Sequence, residues 1–439
     1  MHGEMIPASL RIPAFRRLLF ADTLSVLGSM MTFIVLPIMA WSSTGSGATF
    51  ALTMSGGTLG MLLMMPFGGV IADRFDRRRV LMCGDACQML LTLTMAIAVN
   101  WHQWWVLPFI TLAQSGLGSR FVSAGPALRR DALADDVRGQ GNALMSAGES
   151  TASLCGPLAG VALYGLTNFT TVVVVDLLTF MASFVLIAGI RLPSAVTNPT
   201  AAASEGSSSA DAVDPRTASA MVRRTMDDLA EGLRLVRADG FLRRSLAANL
   251  VNGVANGLML ICIVPWLDVE LGIATSWWAT LIAIMGGSSL VTALVLARVA
   301  ERIAIGRQFS VGASLFFFGG LCLLDTPSVP RLCTAFILIG CANPWISVPY
   351  STAVQRRVAG THQGRVASLM SCSQRLPQFV AMVVGGAVMG SVGVGNLMMI
   401  VPVGFCLAAC IYLASAHRLQ GAPCAEYAHA ADRELAVSG

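Results

Sequence analysis

The chain has 439 residues, 55% hydrophobic and only 12% charged, with a mean hydropathy of +0.69. Soluble proteins carry about 25% charged residues, so half that share over this length excludes soluble domains and predicts a polytopic membrane protein. The net charge of +5 is no nucleic-acid signal, because all 29 basic residues are Arg and they are scattered over many short loops.

Apolar runs of about 20 residues, the length that crosses a bilayer as a helix, recur throughout. They predict twelve spans, at 17–41, 48–72, 80–99, 104–125, 142–165, 170–190, 245–267, 275–297, 308–325, 331–352, 366–390 and 396–416. With the N-terminus inside, Arg74, Arg77, Arg78, Arg79, Arg129, Arg130, Arg138, Arg191, Arg298, Arg302, Arg307, Arg356, Arg357, Arg365 and Arg418 all fall on the cytoplasmic side. Only Arg331 falls clearly outside. Positive residues are retained inside, so this orientation is the expected one. Trp101, Trp104 and Trp105 are expected to form an interfacial belt at the outer surface, and Trp277 and Trp278 the same.

One connection is long. Residues 192–244 open with Pro, Ser, Ala and Gly, a linker composition, and 198–216 should be dispensable. Residues 223–238 follow as an amphipathic helix, with Met226, Leu229, Leu233 and Val236 on one face. It is expected to lie on the bundle or on the headgroups. The domains are then 1–191, a first six-helix half; 192–244, a cytoplasmic linker; 245–416, a second half; and 417–439, a cytoplasmic tail. The halves repeat: residues 129–146 (RRDALADDVRGQGNALMS) answer 354–371 (VQRRVAGTHQGRVASLMS) at an offset of 225. Ala72-Asp73-Arg74 also recurs, degraded, as Ala300-Glu301-Arg302, with Arg307 answering Arg79. The fold class is all-α, with twelve transmembrane helices in two six-helix pseudo-repeats.

Charges inside spans are costly and usually functional. They are Asp22, Arg120, Glu149, Asp176 and Arg375. A proton-accepting acid with a paired base and a structural ion pair are both open readings of Asp22, Arg120 and Glu149; Asp176 reads as structural. Glu149 is preferred over Asp22 as the proton carrier, because it stands about 12 Å beyond the start of its span. Asp22 is expected nearer the boundary, close to Arg16 and Arg17. Asn249, Asn252 and Asn256 share one helical face, for which substrate contact and interhelical hydrogen bonding are equally open.

Nothing predicts catalysis. The five His have no ligand spacing, and neither a phosphate-cradling loop nor a nucleophile elbow occurs. Cys83 and Cys87, four apart, read as buried small hydrophobes rather than a metal site. No enzyme activity, cofactor or metal is expected, and the energy source is an ion gradient.

The loop Gly69-Val-Ile-Ala-Asp73-Arg74-Phe75-Asp76-Arg77-Arg78 resembles the signature between helices 2 and 3 of the major facilitator superfamily (Gly-x-x-x-Asp-Arg/Lys-x-Gly-Arg-Arg/Lys). Gly69, Asp73, Arg74, Arg77 and Arg78 fall on it, and Asp76 stands where the family has Gly. The resemblance implies the two-half fold, alternating access, a small-molecule substrate and a gating role for this loop, so Asp73→Asn is expected to cut transport. Gly156-Pro157 with Gly160 in span 5 resembles the segment of drug/proton exporters and implies close helix packing there. Gln114 keeps part of the span 4 Arg-x-x-Gln-Gly pattern of such exporters, without its Arg. With Arg120, Asn249, Asn252, Asn256 and Arg375 it makes up the candidate cavity residues.

The narrower resemblance, carried by residues 24–29, 43–46, 142–146 and 231–234, is to the bacterial branch of siderophore and macrolide (enterobactin-exporter-like) efflux proteins. It implies proton-coupled export of a small organic molecule (siderophore, antibiotic or other drug-like compound), hence antibiotic resistance, by a monomer in the bacterial inner membrane with both termini cytoplasmic. Uptake of a small metabolite, and a non-transporting scaffold or lipid-handling protein, are the alternatives.

Overall fold

The computed structural model describes residues 8–64, 76–133, 137–190, 230–299, 302–324, 328–358 and 360–416. Among these, twelve long helices correspond one to one with the predicted spans: α1 Pro13–Thr44, α2 Gly47–Met64, α3 Arg77–Asn100, α4 Leu107–Ala132, α5 Arg138–Leu166, α6 Phe169–Ala188, α7 Gly240–Val269, α8 Trp277–Val299, α9 Ile305–Cys322, α10 Val329–Arg357, α11 Gly360–Val392 and α12 Val394–Ala416. Nine are long and apolar enough to cross a membrane on composition alone. The other three, α4, α5 and α9, have their apolar runs interrupted by polar or charged residues such as Gln114, Glu149 and Gln308.

Helix ends follow local chemistry. Asp76, Asn168 and Asp239 cap α3, α6 and α7 by accepting from the backbone N–H of Arg79, Thr171 and Phe241. Pro stands in the first turn of α1, α4 and α10, where its missing N–H is harmless. Gly45, at φ +58°, ends α1 and returns its N–H to Trp41 O at 2.9 Å.

The chain divides into two compact units, residues 1–223 and 224–439. In the first, α1 packs on α5 and α6, α2 on α4, and α3 on α4 and α6. In the second, α7 packs on α11 and α12, α8 on α10, and α9 on α10 and α12. The same five pairings recur, which is the pseudo-repeat expressed as packing. An ionic anchor recurs with them. Arg17 on α1 donates to Gly189 O after α6, and Arg244 on α7 donates to Ala414 O at the end of α12. The free carbonyls of a helix C-terminus attract a cation, and these two Arg hold equivalent places in the two units.

Small residues set the tightest crossings. A Cβ on Gly60 would lie 2.1 Å from Leu112 O, and one on Gly156 would lie 2.6 Å from Met30 Cβ. Gly160 meets Met31 Cα at 2.8 Å in the same way.

Two expectations need correction here. Trp278 is not interfacial: it is buried, edge-on to Phe336 with ring centroids 6.3 Å apart. A bulky ring on the inward face of α8 is taken up by α10. Cys83 and Cys87 are exposed rather than buried, because they lie on the face of α3 turned away from its neighbours, where a small apolar side chain meets lipid at no cost.

The described part of the linker helix, 230–238, packs on the second unit and not outward. Val236 is fully buried with Phe241 and Val366. Glu231 pairs with Arg365 Nη1 at 2.5 Å and His362 Nδ1 at 3.1 Å. At the other end, Asp239 pairs with Arg357 at 2.8 Å.

Candidate functional site

The first unit holds its acids inside. Asp22 on α1 is 7% exposed, and its Oδ2 accepts no hydrogen bond. Glu149 on α5, Arg129 on α4 and Asp85 on α3 are the charges close enough to act on it. Asp176 on α6 is separate: its Oδ2 accepts from Thr32 Oγ1 at 2.7 Å, beside Gly28. That bond ties α1 to α6, while the Oδ1 of Asp176 is buried with no partner.

Burial separates Glu149 from Asp22, the two candidate proton carriers. Glu149 is exposed on α5 while Asp22 is buried. Distance along a helix misleads here, because α1 begins at Pro13 and α5 at Arg138. From those starts the two acids are roughly 14 and 16 Å along, so depth does not separate them. What separates them is the face: Asp22 turns inward, and Arg17 is engaged at Gly189.

Sequence reasoning passes over Asp85. It is fully buried and accepts from Ser183 Oγ of α6 at 2.7 Å. A signal exists, since Asp85, Gln88 and Thr92 fall at i, i+3 and i+7. Gln114, a predicted cavity residue, is engaged with this stripe: its backbone O accepts from Gln88 Nε2 at 3.0 Å, and its own Nε2 donates to Thr92 Oγ1 at 3.0 Å. Gln88 Oε1 is buried and unpartnered.

In the second unit the Asn stripe of α7 divides. Asn249 Oδ1 accepts from Tyr412 OH at 2.6 Å, and its Nδ2 points to Met370 Sδ at 3.8 Å. Asn256 Oδ1 accepts from Gln378 Nε2 at 3.1 Å. Both are interhelical bonds. Asn252 Oδ1 alone is buried with no partner, which leaves it as the member of the stripe available to a ligand. Arg375 lies half-buried on α11.

Of the signature loop, Arg77 and Arg78 are described. Arg77 opens α3. Arg78 Nε donates to Ile187 O at 3.1 Å and its Nη2 to Ala188 O, closing the C-terminus of α6. Gly69, Asp73 and Arg74 lie outside the described residues, as do the side chain of Arg120 and the segment 198–216. Gly156, Pro157 and Gly160 are buried, the two glycines against α1. Among the described residues no group of three or more His, Cys, Asp or Glu could hold a metal ion.

Twelve helices in a duplicated pairing scheme, with carboxyl and carboxamide groups buried within them, are the architecture of a multi-pass helical membrane protein. The family model described as Major Facilitator Superfamily matches residues 18–382, and the chain belongs to that family. It is similar to a Bacillus subtilis (strain 168) protein described as "Uncharacterized MFS-type transporter YfiS", 23% identical over 390 residues, covering 86% of this chain and 87% of that one. Among solved structures it resembles a bacterial homologue of the iron transporter ferroportin in an inward-facing state, with a TM-score of 0.70, 12% identity, and coverage of 93% of this chain and 99% of that one. A variant of the nucleoside transporter NupG is similar at a TM-score of 0.67 and 11% identity, over 93% and 99% of the two chains. At such identities the likeness is one of fold.

Proposed function

We propose that this transporter is a proton-coupled exporter of a small organic molecule, a siderophore, antibiotic or other drug-like compound, in the manner of the siderophore and macrolide efflux branch. The observation that carries the coupling is the unpartnered, buried Oδ2 of Asp22, with Glu149 acting on the same carboxyl. An intramembrane acid without a hydrogen-bond donor is available to take up and release a proton, and such acids mark proton relays. Asp22 and Glu149 together are the coupling acids, Asp22 as the desolvated member and Glu149 as the one that meets water. Asn252 contacts substrate from α7.

In this reading the Arg-rich helix ends and both termini face the cytoplasm of a bacterial inner membrane. Residues 192–244 tether two halves that alternate access, 417–439 form a tail, and the monomer is the working unit. The Gly69–Arg78 loop gates the cytoplasmic end.

The test is proton movement in sealed proteoliposomes, driven by a panel of siderophores and macrolides. Wild type should couple flux of at least one compound to protons. Asp22→Asn should lower coupled flux by roughly a hundredfold, the scale of losing a general acid–base group, and Glu149→Gln by less. Full coupling in both variants would overturn the assignment.

A further inference from the structure

Helix α3 carries a continuous outward stripe. Arg79, Cys83, Cys87, Leu90, Ile97 and Trp101 are all exposed and recur on one helical face, at spacings of three, four and seven. The other faces of α3 pack on α4 and α6. From Arg79 to Trp101 the rise is roughly 33 Å, close to the hydrocarbon thickness of a bilayer, about 30 Å. An apolar stripe of that length, with Arg at one end and Trp at the other, matches lipid tails between two headgroup layers.

The second unit repeats the stripe on α9. Laying Arg77 on Ile305, the first residues of α3 and α9, brings the buried Gly84 onto the buried Gly312. In that register Cys83, Leu90 and Leu93 are answered by Val311, Phe318 and Leu321, and all six are exposed. The stripe opens with Arg79 in one unit and Arg307 in the other. The adjacent basic residues do not recur: Arg77 is answered by Ile305 and Arg78 by Gly306. A charge that only kept a helix end in water could stand on any face. Here it stands on the lipid face in both halves.

Other Arg at helix ends are engaged by the protein. Arg78 closes the C-terminus of α6, Arg244 that of α12, and Arg357 is held by Asp239. Arg79 and Arg307 are exposed, and among the described residues neither guanidinium has a hydrogen-bond or ion-pair partner. Asp76, three residues before Arg79, turns its Oδ1 to the backbone N–H of Arg79 instead, at 2.8 Å.

We propose that Arg79 and Arg307 each hold the phosphate of an anionic phospholipid whose acyl chains lie along the adjoining stripe. A guanidinium presents paired N–H donors that match a phosphate in bidentate fashion, with charge assistance. About 6 Å of helix separates each Arg from the next residue of its stripe, Cys83 or Val311, so one face meets both headgroup and tail. That continuity selects a lipid over a soluble anion, which would meet the charge alone. Each site also fixes how deep its helix lies in the leaflet.

The experiment is native mass spectrometry of the purified full chain in detergent, titrated with phosphatidylglycerol or, separately, with phosphatidylcholine. The first two lipids bound should be phosphatidylglycerol in preference to phosphatidylcholine. Arg79→Gln/Arg307→Gln should weaken the apparent affinity for both about fivefold, the scale of one Arg at a membrane surface. Each single variant should weaken one of the two. Neither side chain bonds to the described protein, so the variants should fold, and size exclusion reports it. Arg234→Gln removes an exposed Arg of the linker helix, outside both stripes, and should bind as wild type. An equal loss in Arg234→Gln would show that net charge alone attracts the lipid, and would overturn the proposal. So would wild-type binding by the folded double variant, equal uptake of phosphatidylcholine, or displacement of the lipid by inorganic phosphate at matched ionic strength.

Discussion

Gly253→Val is expected to leave little folded protein. A Cβ at Gly253 would lie 2.3 Å from Gln374 O, and one turn on, a Cβ at Gly257 would lie 2.4 Å from Gln378 O. Both obstructing atoms are backbone carbonyls of α11, so neither can turn aside as a flexible side chain does. Overpacking costs about 1–3 kcal/mol where neighbours can adjust, and here α11 itself must move. A cost of about 3 kcal/mol lowers the folding equilibrium more than a hundredfold. The monodisperse fraction on size exclusion in detergent reports it. Gly390→Val is the control, because nothing lies within 4 Å of its Cβ, and it should elute as wild type. Normal elution of Gly253→Val would mean that α7 and α11 are farther apart than described.

Asp239→Ala should be the next most damaging substitution, because one side chain does two jobs. Its Oδ1 accepts from Phe241 N at 2.7 Å and Leu242 N at 3.0 Å, capping α7. Its Oδ2 holds Arg357 at 2.8 Å, and that guanidinium sits 5.5 Å from the centroid of the Phe241 ring. Loss of an N-cap costs about 1 kcal/mol, and breaking a largely buried pair adds up to about 3 kcal/mol. Asp239→Asn keeps the cap and weakens the pair, so it should fall between wild type and Ala in thermal stability. If Ala and Asn melt together, the cap contributes nothing and the ion pair carries the whole effect.

The membrane helices were legible because a bilayer demands long apolar runs, and residue patterns report such runs directly. The interior of each half was harder. Asp22 and Glu149 were both visible as charges, but which of them is buried depends on the helix faces turned toward α3, α4 and α6, and residue spacing does not give those. Asp85 follows closely on the Arg77–Arg79 run, where an acid reads as part of a charged helix end. Only its phase with Gln88 and Thr92 gives it away. For Asn249 and Asn256, the stripe was visible and the partners were not, because Tyr412 and Gln378 are far distant in sequence.

The glycines have a consequence for recombination between the halves. In the first, Gly156 of α5 faces Met30 of α1. In the second, the residue answering Met30 is Gly257, and it faces Ala381, which answers Gly156, at 3.1 Å from a Cβ placed there. The bulk of the joint has therefore moved between partners, and each half has become compatible only with its own version. A chimera that set α7 against α5 would bring glycine to glycine and leave a hole. One that set α1 against α11 would drive methionine into alanine. Single helices are not interchangeable modules in this chain; the smallest exchangeable part is a helix together with the one its glycine was fitted to.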